Sequence, residues 1–129
     1  MQPVTLKEQT ESIRSFKSTI RKCETALAQM NEKRSNTVLL EKRLNALNIG
    51  LQMLEAVWHR KLLPYDQEKL AEVREVLAGM LLSIEKAYAN QKEGSPQKTL
   101  LERRIKSLEL AIQAIDDHAS KNFKSHDTF

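Results

Sequence analysis

The sequence predicts an all-α fold, an antiparallel up-down-up-down four-helix bundle built from two similar helical hairpins. Three observations carry that expectation. Apolar residues recur at alternating steps of three and four through most of the chain, the spacing that lines one side of a helix. Only 3 Gly, 3 Pro and 5% aromatic residues stand against 40% apolar and 29% charged ones, a vocabulary poor in turns and in the residues that sheets favour. The 129 residues are one domain's worth, too few for two independent cores. Each helix follows from its own signals.

The first opens at Thr5 with Glu8 three residues on, a capping box that satisfies amide groups left orphaned at a helix start. Its seam is Leu6, Ile13, Phe16, Ile20, Cys23, Leu27 and Met30. Ser35, Asn36 and Thr37 break the pattern and offer a new N-cap. Leu40, Leu44, Leu47, Leu51, Leu54 and Trp58 then resume it, and the second helix is expected to run to about Leu62 before Pro64 stops it. Asp66 caps the third helix, striped by Leu70, Val73, Leu77, Met80, Ile84 and Ala87. Gly94, Ser95 and Pro96 read as a helix stop, an N-cap and a first helical residue. The fourth stripe is Leu101, Ile105, Leu108, Ile112, Ile115 and Ala119.

Connectors of a few residues force helices some 40 Å long to fold back on one another. One domain over residues 1–122 is therefore expected, with hairpins at 5–62 and 66–121 and a flexible C-terminal tail at 123–129. The hairpins look related. LLEKRLNALNIGLQMLE from Leu39 aligns without a gap on LLERRIKSLELAIQAID from Leu100, an offset of 61 residues. Glu41/Glu102, Arg43/Arg104 and Gln52/Gln113 are identical off the leucine seam, which a shared heptad does not explain. Ile13, Arg14 and Phe16 also resemble Val73, Arg74 and Val76 at an offset of 60.

The chemistry expected is binding rather than catalysis. His59, His118 and His126 form no metal-ligand spacing, the inward positions are apolar, and the three glycines stand singly, so no phosphate loop exists. No catalytic residue, cofactor or metal site is assigned. One cysteine, Cys23, forms no internal disulfide and sits on an apolar seam as a small hydrophobe. With no apolar leader, and no uncharged stretch longer than Leu44 to Leu54, a cytoplasmic protein without membrane insertion is expected.

Three candidate surfaces remain. The junction between the second and third helices gathers Trp58, Arg60, Leu62 and Tyr65, and tryptophan, arginine and tyrosine dominate protein interfaces when they are not plugging a core. A helical wheel sets Ala46, Gly50, Met53 and Val57 beside the leucine stripe, with Ala46 and Gly50, echoed by Ser107 and Ala111, small enough to admit a close neighbour, and it places Ile49 and its repeat mate Leu110 on the outer side, candidates for a weak homodimer contact. The preferred function is accordingly a regulator, adaptor or chaperone-like binder of a protein partner. The alternative is nucleic acid held on the basic face of the first helix, where Arg14, Lys17 and Arg21 align with Lys22 beside them. Successive quarters of the chain balance at +3, +2, −2 and +1 within the net +4, and Glu8, Glu11 and Glu24 interrupt that face in sequence, so this reading ranks second.

Overall fold

A computed structural model describes residues 4–33, 36–59 and 65–127. They form α1 (Leu6–Glu32), α2 (Val38–His59), α3 (Gln67–Ala89) and α4 (Pro96–Asp127), with no strand among the described residues. The caps sit where the side chains demand them. Thr5 Oγ1 accepts from the Glu8 amide at 3.1 Å, Asp66 Oδ1 from the Lys69 amide at 2.7 Å, and Ser95 Oγ from the Lys98 amide at 3.1 Å. Ahead of α2, Asn36 Oδ1 takes the Val38 amide at 3.0 Å. Gly94 adopts φ 78°, the left-handed geometry that a side chain resists, and Pro96 starts α4 behind it. Past residue 122, α4 runs on to Asp127, where a tail was expected from 123. Neither Gly nor Pro interrupts that polar stretch, so nothing local ends the helix.

Among the described residues every pair of helices meets except α1 with α3. The cross-section is thus a rhombus, with α2 and α4 touching across its short diagonal and α1 and α3 at the far corners. Helices with three neighbours must bury a wide arc, and those with two a narrow one. α2 buries Ala46, Leu47, Ile49, Gly50, Met53, Leu54 and Ala56, and α4 buries Leu101, Ser107, Leu108, Leu110, Ala111, Ala114 and Ile115. By contrast α1 buries only Ser12, Ser15, Phe16 and Ile20, and α3 only Leu70, Val73 and Leu77.

This arrangement corrects the wheel. Ile49 and Leu110, expected to face water, are 4% and 8% exposed and belong to the core. The buried arcs centre on small residues, Ala46 and Gly50 on α2 and Ser107, Ala111 and Ala114 on α4, which let the two backbones approach across the diagonal. That turns the core side about 100° from the leucine stripe, the angle between successive residues. Leu44, Leu51 and Trp58 consequently slide to the half-buried rim, while Ile49 and Leu110 rotate in. Leu6, counted on the first seam, is 79% exposed.

Gly50 shows how tight the centre is. A β-carbon there would lie 3.1 Å from Leu77 Cδ1 and 3.3 Å from Phe16 Cε1, so side chains from both corner helices reach α2 at this point. At the rim, Arg74 on α3 donates to both carboxylate oxygens of Asp116 on α4, and Tyr88 donates to Glu102 Oε1 at 2.9 Å. Rising numbers on α3 meet falling numbers on α4, so this pair is antiparallel. Glu8 and Ser15 of α1 meet Lys106 and Ser107 of α4.

Candidate functional site

Of the residues singled out at the α2–α3 junction, Arg60 and Leu62 lie outside the described residues. Trp58 and Tyr65 are half-buried and pack against the core. The Tyr65 hydroxyl donates to Gln52 Oε1 at 2.7 Å, and Trp58 Nε1 is buried with no acceptor among the described residues. Both rings thus lie against the core near the α2–α3 junction, a commonplace position for large side chains. Ile49 and Leu110 lie in the core, so the four candidate partner-binding residues among the described ones do not share one exposed surface.

The structure does bring the basic residues together. Arg14, Lys17 and Arg21 are exposed and line one shallow groove with Thr10, Ile13 and Ser18, while Lys22 is exposed on the flank. Of the acids that interrupt this stripe in sequence, Glu8 and Glu11 leave it in space, whereas Glu24 stays exposed one heptad past Lys17. Glu8 turns toward α4, 3.9 Å from Lys106 Nζ, and Glu11 lines the α1–α4 cleft with Glu102 and Arg103. The outermost line of α1 is therefore free of acids from Lys7 through Thr10, Arg14 and Lys17 to Arg21, all exposed, with Glu24 next on the same side. Their spacing of three and four keeps them on one side of the helix.

The opposite corner carries a counterpart that sequence reasoning passed over. Glu68, Glu72, Glu75, Gly79 and Leu82 of α3 are all exposed and spaced by four and three; Glu72 and Glu75 also border the α2–α3 cleft with Lys42 and Lys69, and Leu82 is 62% exposed. The signal was present in the −2 balance of that quarter. Its positions were missed because attention went to the apolar stripe.

At the rim of the core, Arg43 of α2 and Arg104 of α4 are half-buried and act electrostatically on the Cys23 thiol. Burial nevertheless pushes that thiol up from its ordinary range, outweighing both arginines, so Cys23 is a protonated thiol at neutral pH. Arg104 Nε and Nη2 are buried with no acceptor among the described residues, and burial lowers the guanidinium from its usual range. Among the described residues no three His, Cys, Asp or Glu side chains group as metal ligands, and no helix is long and apolar enough to cross a membrane. No protein family matches the chain, and neither a curated protein nor a solved structure does.

Proposed function

We propose that this chain is a non-catalytic interaction module that binds a protein partner through the outer faces of its corner helices. One observation carries the reading: α1 and α3 have the widest free surfaces in the bundle, and those surfaces bear opposite charge in the same heptad-like spacing. A core helix with an apolar stripe alone has no need of such order on its solvent side, where mixed charge suffices for solubility. Charge of this kind steers encounter and sets register more than it supplies affinity, which suits a regulator or adaptor. A reducing cytoplasmic setting accords with the single thiol of Cys23.

The fold that goes with this reading is a duplicated helical hairpin. Burial repeats at an offset of 61 residues through Ala46/Ser107, Leu47/Leu108, Ile49/Leu110 and Gly50/Ala111, and it extends to the corner helices as Ser12/Val73 and Phe16/Leu77. The α1–α4 and α2–α3 clefts are lined at that same offset, Glu8 and Arg103 in one corresponding to Lys69 and Lys42 in the other. For the corner helices burial thus favours 61 over the 60 suggested by Ile13, Arg14 and Phe16. The up-down-up-down order rests on the short connectors and the antiparallel α3–α4 pair.

Capture of partners from a lysate tests the reading, run with the native chain and with Arg14→Glu plus Arg21→Glu. Loss of a protein partner in the variant is expected. Nucleic acid is the competing occupant, favoured by the acid-free line on α1. Salt-sensitive binding of nonspecific DNA or RNA, abolished by the same variant with no protein partner lost, overturns the proposal, since phosphate contacts weaken steeply with salt.

A further inference from the structure

From the two corner helices we infer that the partner is a second copy of this chain, the basic face of α1 on one copy docking antiparallel on the acidic face of α3 on the next. This rests on the reading of α1 and α3 as interaction faces and names their occupant. The argument is one of register. On α1 the outward seam runs 7, 10, 14, 17, 21, with steps of three and four, and on α3 it runs 68, 72, 75, 79, 82, with steps of four and three. Laid antiparallel, two such seams interleave layer by layer, as facing helices do when each knob meets a hole.

In one register every central layer is complementary. Arg21 meets Glu68, Lys17 meets Glu72 and Arg14 meets Glu75. The next layer sets Thr10 against Gly79, two small residues that let the helices close up. The last sets the aliphatic stem of Lys7 on the exposed side chain of Leu82. A parallel alignment at the repeat offset of 61 makes only two such pairs, Lys7 with Glu68 and Arg14 with Glu75, and leaves Arg21 on Leu82. A parallel alignment at an offset seven residues shorter pairs Arg14, Lys17 and Arg21 with Glu68, Glu72 and Glu75 but sets a step of three against a step of four, whereas the antiparallel register keeps every layer in phase and is the one selected. Glu72 is available to it: its contact with Lys69 is a loose 4.0 Å, and its side chain is 68% exposed.

The geometry also fixes the kind of assembly. Because α1 and α3 occupy opposite corners, one copy cannot present both faces to the same neighbour. The contact is heterologous, and copies add head to tail in open chains instead of closing as a twofold dimer. Exposed ion pairs contribute little each, so the association is weak, reversible and screened by salt.

Sedimentation equilibrium of the full chain tests this at about 20 mM and about 500 mM salt, conditions in which the Debye length falls from roughly 20 Å to under 5 Å. At low salt the weight-average mass is expected to climb with concentration above the 14.8 kDa of one chain, and at high salt to return to it. Arg14→Glu with Arg21→Glu makes both corners acidic, and Glu68→Arg with Glu75→Arg makes both basic. Each variant alone is expected to stay at monomer mass. Their equimolar mixture is expected to regain association, a result that misfolding of either variant could not produce. Association persisting in either variant alone, or a mixture that stays monomeric, overturns the inference. A native chain that stays monomeric at low salt while still losing a captured protein partner on Arg14→Glu plus Arg21→Glu refutes the second copy as occupant and leaves binding through α1 standing.

Discussion

Truncating Ile49 to alanine discriminates between a core centred on the leucine stripe and one centred on the α2–α4 diagonal. On the first view Ile49 faces water, and the change costs at most about 0.5 kcal/mol, as surface substitutions do. In the structure Ile49 is 4% exposed within the main core cluster. Removing its three outer carbons forfeits about 2 kcal/mol of transfer free energy at roughly 0.8 kcal/mol per buried methylene. A residual cavity adds to that, because α2 is pinned by three neighbours and cannot collapse onto the gap, so about 3 kcal/mol in total is expected, inside the usual range for such truncations. For a chain of 129 residues this lowers the melting temperature by about 11 °C, taking an unfolding entropy of about 2.1 cal/mol/K per residue. Urea unfolding followed by helical circular dichroism measures it directly, with the slope unchanged and the midpoint reduced. Leu110→Ala, at 8% exposure, should behave alike. A loss below about 0.5 kcal/mol for both would refute the diagonal arrangement.

Gly50→Val should destabilise by about 1–3 kcal/mol by thermal melting, because its branches enter the space held by Leu77 and Phe16, whereas Gly50→Ala should lie near neutral as about 1 kcal/mol of helix propensity offsets a contact that two side-chain ends can relieve. Arg104→Met should raise stability by about 1 kcal/mol in urea titrations, since it removes buried guanidinium nitrogens that lack an acceptor among the described residues while keeping the stem's packing. A double-mutant cycle on Arg74 and Asp116 should give a coupling under about 1 kcal/mol, as both side chains are 46% exposed and the pair is screened. Cys23 should react with an aromatic disulfide reagent more slowly than free cysteine at pH 7, and its rate should keep rising above the pH at which the free thiol levels off, because burial raises its pKa and thiolate is the reactive form.

Helix ends were legible in the sequence because capping is local: Thr5, Asp66, Ser95 and Gly94 act within a few residues of themselves. Which side of a helix is buried was legible only in part: Ala46 and Gly50 mark a close approach, but how far the core turns toward them depends on how many neighbours the helix has. Leucines at 44 and 51 outweigh Ala46 and Gly50 on any wheel, yet the shortest diagonal selects the small residues and sends the leucines to the rim. The candidate surface divides in the same way. Alignment of Arg14, Lys17 and Arg21 follows from spacing alone, whereas the approach of Glu8 to Lys106 and the place of Glu11 in the α1–α4 cleft depend on α4, remote in sequence. Trp58 and Tyr65 carry the composition of an interface, and the same size and rigidity that suit them to one suit them to lying against a core.

The contact between copies can be read most directly by disulfide trapping in a Cys23→Ala background. Chains bearing Arg14→Cys are mixed with chains bearing Glu75→Cys at low salt, and separately with chains bearing Glu68→Cys, which lies seven residues and about 10 Å away along α3. The antiparallel register predicts a crosslinked heterodimer from the first mixture in clear excess over the second, lost at high salt. Equal yields from the two mixtures, or none from either, would contradict it.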